Sequence, residues 1–208
     1  VAWQSLKMSR TRTAVTIIGI MLSAAMMTAV ATFAVSLQNY LINGAIDKYG
    51  AWQVGFLDVD AAFVQECHLD QNVKDYAVYE NIGYAELEGG KNVNKPYLFI
   101  AGFAQETFDH LPLMLISGRL PQNSNEIIVP SHVAANGGVK LALGDTFSLT
   151  VGNRIYEGEI LGQGNPYIYQ NSATIAKEKL VPIDERTYTV VGIYQRPPFE
   201  DYSAPGYT

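Results

Sequence analysis

The chain has 208 residues, 48% of them hydrophobic, which is enough for one packed domain plus an appended element and excludes disorder as its main theme. Of its 14 basic residues, three (Lys7, Arg10, Arg12) precede residue 14, leaving 11 basic against 20 acidic residues in the rest of the chain. So acidic a body lacks the clustered Lys and Arg that displace counterions from phosphates, and nucleic acid is excluded as a partner.

No charged residue occurs from Thr13 to Ile46, and Ala14 to Leu37 is apolar or small almost throughout. Twenty-four helical residues reach about 36 Å at roughly 1.5 Å each, enough to cross a hydrocarbon core of about 30 Å. The predicted order is therefore a cytoplasmic N-terminus at 1–13, a transmembrane helix at 14–37, a helical stalk at 38–50 and an extracytoplasmic α+β domain at 51–208. Trp3, Leu6 and Met8 alternate with Lys7 and Arg10 as in a short amphipathic helix lying at the cytoplasmic interface. The positive charges ahead of the span place that end in the cytoplasm of a cell-membrane protein, and everything after about residue 40 outside.

Two other readings compete. Ala29-Val30-Ala31 has the small-x-small form of a signal cleavage site, which would release a product starting at Thr32, although apolar residues continue through Phe33, Val35 and Leu37. A buried helix of a soluble protein would show a polar stripe at helical period, and none is present. Small residues four apart (Gly19/Ser23, Ala25/Ala29) would let another membrane helix approach closely.

Beyond the span, a helix from Gln38 should stop near Gly50. Alternation around Val54, Phe56 and Asp58 predicts a strand, and Ala61 to Leu69 a short helix capped by Asp60. Tyr76 to Leu87 and Pro96 to Phe103 form a predicted hairpin broken at Gly89-Gly90. Gln105 to Leu111 reads as a helical turn, Glu126 to Val129 as a strand, and Ser131 to Asn136 as a capped short helix. Two strands, Thr146 to Val151 and Ile155 to Leu161, are expected around a tight Gly152-Asn153 turn, and a last strand from Thr187 to Tyr194. The result is an α+β domain with a mixed sheet.

Catalytic chemistry finds no support in the residues, and the reading is that this chain is not an enzyme and holds no cofactor or metal. There is no G-x-x-x-x-G-K-[ST] loop, Gly162-Gln163-Gly164 lacks a following helix, and no G-x-S-x-G elbow occurs. His68, His110 and His132 have no ligand at metal spacing. The spaced carboxylates Asp58/Asp60, Glu86/Glu88 and Glu157/Glu159 fit the solvated faces of strands. Cys67, the single cysteine, cannot form an intramolecular disulfide and is expected to be a small core residue.

The run SGRLPQNSNEIIVPSHVAANGGVKLALGDTFSLTV, followed by YTVVGIYQRP, resembles the extracytoplasmic domain of MacB/FtsX-like ABC-transporter permeases, and SLKMSRTRTAVTIIGIMLSAA is similar to the opening of that family. Gly118, Arg119, Pro121, Glu126, Ile127, Leu143, Gly144, Asp145, Val191 and Gly192 fall on the pattern, whereas residues 60 to 110 match it poorly. The motif residues have structural readings: Gly118 and Gly144 in turns of positive φ, Pro121 at a turn exit, Asp145 on backbone donors, Arg119 paired with Glu126, and Gly192 within the last strand.

The resemblance implies a permease subunit that couples ATP hydrolysis by a separate cytoplasmic ABC ATPase to export or mechanotransmission, with ATP bound on the partner. It implies a homodimer or heterodimer of permeases in the membrane, and further membrane helices, which makes these 208 residues a fragment. The ligand would be a peptide, lipoprotein or cell-wall enzyme. The alternative within the resemblance is a signalling protein like FtsX, which binds an extracellular hydrolase or senses antimicrobial peptides without transporting.

Overall fold

The computed structural model describes residues 10–169 and 177–208, and its contacts divide the chain between Ile46 and Asp47. Trp3, Leu6, Lys7 and Met8, to which the interfacial reading was attached, lie outside the described residues.

Helix α1, Arg10–Tyr49, is 40 residues long and buries none of them. It is the one helix among the described residues long and apolar enough to cross a membrane. Hydroxyls on such a helix can be satisfied by its own backbone carbonyls. The Thr16, Ser23 and Thr28 hydroxyls each donate to the carbonyl four residues back, at 3.0, 2.8 and 2.9 Å. Span and stalk form one uninterrupted helix that stops at Gly50, whose φ of 96° serves as the left-handed terminator.

From Asp47 on, the chain forms an α+β body. Val54, Phe56 and Asp58 do not form the expected strand: residues 50–59 carry no regular structure, and Asp58 sits at φ 53°. Alternation specifies a strand only where an edge offers hydrogen-bond partners, and here none is paired. Helix α2, Ala61–Leu69, is capped as expected, with the Asp60 carboxylate accepting from Phe63 N–H at 2.9 Å. Cys67, on this helix, is only partly buried and is not a core residue, because α2 buries none of its side chains.

The strands are β1 (Tyr79–Glu86), β2 (Tyr97–Phe103), β3 (Leu115–Gly118), β4 (Glu126–Pro130), β5 (Thr146–Tyr156), β6 (Glu159–Leu161), β7 (Lys179–Tyr194) and β8 (Gly206–Tyr207). They make one curled sheet in the order β3-β7-β5-β1-β2-β8, with β4 also on β7 and β6 on β5. β4 runs parallel to β7 and β8 parallel to β2, while the other pairs are antiparallel, so the sheet is mixed. A 3-10 turn at Gln105–His110 lies where a helical turn was expected.

Three local readings need correction. Gly152-Asn153 is no turn: β5 passes straight through it with a register shift against β7, where a Cβ at position 152 would collide with the Val181 carbonyl. The reversal comes at Glu157-Gly158, both at positive φ (51° and 88°), which leads into β6. The strand expected from Thr187 instead begins at Lys179, and the segment Ser131 to Asn136 gives a π-turn at Val133–Gly137 with no side-chain cap. The core lies on one face of this sheet, around Ala85, Leu98, Ile100, Val133, Val151 and Tyr207.

Candidate functional site

The sequence motif gathers at one place. On β7, Thr189 pairs with Thr146 of β5, and Gly192 to Tyr194 pair with Gly118 to Leu115 of β3, while β4 follows the opposite edge. β5 therefore hands over to β3 along one edge, and β4 skips Val191 where it does so. Gly144 N–H donates to Val190 O, Val190 N–H to Asp145 O, and Arg119 N–H to Val191 O, each within 2.9 Å. Gly118, at φ 80°, has no room for a Cβ against the Val191 carbonyl, and a side chain on Gly192 would strike the Arg119 carbonyl.

The side chains close the same corner. Arg119 forks onto Glu126, two bonds of 2.6 Å each, and Glu126 also accepts from Gln122 N–H at 2.8 Å. The Arg119 guanidinium, before all else, pulls the Glu126 carboxyl down to about 2. Gly144 sits at φ 88°, Asp145 accepts from Ala142 N–H at 2.7 Å, and Pro121 lies half-buried in the loop between Arg119 and Gln122. The bonds of this corner are internal to it: Arg119, Gln122 and Glu126 answer one another, as do Ala142 and Asp145.

A second cluster was not legible in the sequence. Arg154, fully buried on β5, donates to Glu178 through Nε and Nη2 at 2.7 and 2.8 Å, and to the carbonyls of Gly162 and Asn165 at 2.8 and 3.1 Å. Its guanidinium lies over the rings of Tyr84 and Tyr97, at 5.2 and 5.8 Å. Thus Gly162-Gln163-Gly164 is a loop, as read, and one that offers a carbonyl to a buried cation. No local signal marked it: the alternation of Phe147, Leu149 and Val151 assigns Arg154 to the opposite face of the strand, and only the register shift at Val151/Gly152 turns it inward.

The third cluster binds the C-terminal segment to the sheet. Glu200, 1% exposed at its side chain, accepts from Lys95 Nζ at 2.7 Å, Arg196 Nε at 3.2 Å and Thr208 N–H at 2.8 Å, and lies 2.9 Å from His132 Nε2. Burial alone would raise its pKa, but the bonds from His132, Lys95 and Thr208 outweigh burial and hold the carboxyl below its ordinary range. Tyr207 OH donates to Asn136 at 2.7 Å, and Gln163 Nε2 donates to the Thr208 hydroxyl at 2.6 Å. The other histidines are dispersed, His68 against the Tyr76 ring and His110 3.4 Å from Asp75. No three His, Cys, Asp or Glu side chains converge as metal ligands among the described residues.

Two concave features share one stretch of chain. A half-open cleft of about 390 Å³ lies where the core meets solvent, lined by Leu87, Leu98, Val139, Leu141, Phe147 and Leu149 among others, with Glu86 and Glu88 beside it. A more polar hollow of about 300 Å³ shares Glu86, Leu87 and Glu88 and adds Tyr97, Tyr167 and Lys177. Of the spaced carboxylate pairs, Glu86/Glu88 lines both of these features; Asp58/Asp60 precede α2, and Glu157/Glu159 flank the β5–β6 turn. No protein-family model matches the chain, and no curated protein matches it.

Proposed function

We propose that the chain is part of a permease subunit of an ABC-type transporter of the MacB/FtsX kind. It would be anchored by α1 with its N-terminus in the cytoplasm, paired with a second permease, and driven by a cytoplasmic ATPase that holds the ATP. On this reading it carries no catalytic site of its own. The observation that carries the proposal is a 40-residue apolar helix with no buried residue, in one chain with a mixed-sheet body whose handover corner is built from the motif residues. The body's role would be mechanical: ATP-driven movement of the membrane helices reaches the outer domain and acts on a peptide, lipoprotein or cell-wall enzyme.

The reading frame beyond Thr208 tests this first. Three further apolar spans of about 20 residues support a permease, and a frame without them refutes it. In the same full-length protein, reconstituted with an ATPase encoded beside it, ATP turnover should rise severalfold over the ATPase alone. One observation favours the second reading, a regulatory protein that responds to an outside ligand: the cleft beside Glu86 and Glu88, which mechanical transmission alone does not require. A ligand that changes ATP turnover without crossing the membrane would select it.

A further inference from the structure

The shared wall at Glu86, Leu87 and Glu88 divides two unlike surroundings. On one side most residues of the cleft are apolar, Ser148 and Thr150 are polar, and Glu86 and Glu88 are its only ionisable lining residues. Both are exposed, and neither has an ion-pair partner within 4.0 Å among the described residues. On the other side stand two aromatic rings: Tyr97 and Tyr167 meet edge to face at 5.7 Å. The nearby buried carboxylate, Glu178, is already answered by Arg154. A cleft of this size lined by apolar side chains with a few charges of one sign is suited to a small molecule of matching shape and opposite sign.

The chain itself reports what this wall prefers. Lys177 Nζ lies 6.0 Å from the centre of the Tyr167 ring, and Tyr167 above all, with Glu86 among the smaller contributors, favours its charged form. An ammonium is thus already drawn to the polar hollow, while no Lys or Arg lines the cleft across the wall.

We infer that this wall is a binding site for a small organic ammonium, its apolar body in the cleft beside Leu98 and Phe147 and its positive head against Glu86 and Glu88. The inference goes beyond the transporter reading and stands without it, since it uses only residues of the body. An anion of the same shape would meet two carboxylates of like charge, and a neutral one would gain nothing from them.

The test uses the full chain in lipid nanodiscs, empty nanodiscs as the blank, and two probes of one shape: 4-phenylbutylamine and 4-phenylbutyrate. Ligand-observed NMR titrations should show the amine binding about tenfold tighter than the carboxylate. The double variant Glu86→Gln/Glu88→Gln should bring the two probes to about the same affinity, with an unchanged melting temperature to show that it folds. Lys177→Ala, which leaves the wall intact and removes the competing ammonium, should tighten amine binding about threefold. Equal binding of the two probes, no binding beyond empty discs, or an amine preference that survives in the double variant overturns the inference. Weaker amine binding in Lys177→Ala does so as well, and needs no change at the wall.

Discussion

Two bidentate arginine–glutamate forks, one end-on through both Nη atoms and one side-on through Nε and Nη2, stand in this domain in opposite surroundings. Arg119 and Glu126 are seven residues apart, with Arg119 47% exposed at its side chain; Arg154 and Glu178 are 24 apart and 0% exposed at both. The exposed fork closes a loop whose ends the sheet already holds. The buried one joins β5 to the Gly162–Ile168 loop, with Ile168 N–H also donating to Glu178 at 2.9 Å. Water competes for the first pair and has been removed from the second, so the shorter bonds of the exposed fork do not make it the more consequential.

Removing one partner of the buried fork should break the domain most severely. Glu178→Ala strands a guanidinium among Tyr84, Tyr97 and the carbonyls of Gly162, Asn165 and Pro166 and should cost about 3–5 kcal/mol, read as a loss in chemical-denaturation midpoint. The double variant Arg154→Met/Glu178→Leu should recover much of that loss, because the penalty belongs to the unpaired charge and not to the absence of a bridge. If the two variants are equally unstable, the pair is a net source of stability and the comparison fails.

An intermediate case is Glu200, buried but with three side chains and a backbone N–H sharing one carboxylate. Glu200→Gln should cost about 2–3 kcal/mol and loosen the C-terminal segment first, seen as faster amide exchange at Tyr207 and Thr208. The pH dependence has a definite sign. The folded carboxyl titrates below its unfolded value, so its stabilisation is present above the unfolded pKa of about 4.5 and is lost as pH falls through the lower folded value. Acid should therefore narrow the gap between wild type and Glu200→Gln.

Smallest of all should be the exposed fork. Arg119→Ala is expected to leave the neutral-pH melting temperature nearly unchanged, because Gly118 and Gly192 hold the corner through backbone bonds. What should change is the titration: Glu126, held at about 2 by the guanidinium, should move up toward 4.5 in the variant, followed by carboxyl NMR shifts. An unmoved carboxyl would show that the fork does not persist in solution.

This contrast also separates what was legible in the sequence from what was not. The Arg119–Glu126 pair, the positive φ at Gly118 and Gly144, and the Asp60 cap all rest on interactions within about seven residues, where residue type and spacing constrain geometry directly. The false strand at Val54 to Asp58 and the false turn at Gly152 had equally good local signals. They failed because a strand needs a neighbour: residues 50–59 have none, whereas β5 is held straight through Gly152 by the length of β7. The candidate wall was half visible, since Glu86/Glu88 were noted as a spaced pair, but nothing local indicated a cleft beside them.

The sequence by itself determined the long apolar helix, the α+β composition of the body and the turn chemistry of the motif corner, because hydrophobic runs, glycine conformation and short-range pairing act over a few residues. Only the tertiary structure decided the strand order, the handover from β5 to β3 along β7, the burial of Arg154 with Glu178 and the convergence of Lys95, His132 and Arg196 on Glu200. These join residues up to 105 positions apart. A charge can be buried only where distant chain segments close around it together.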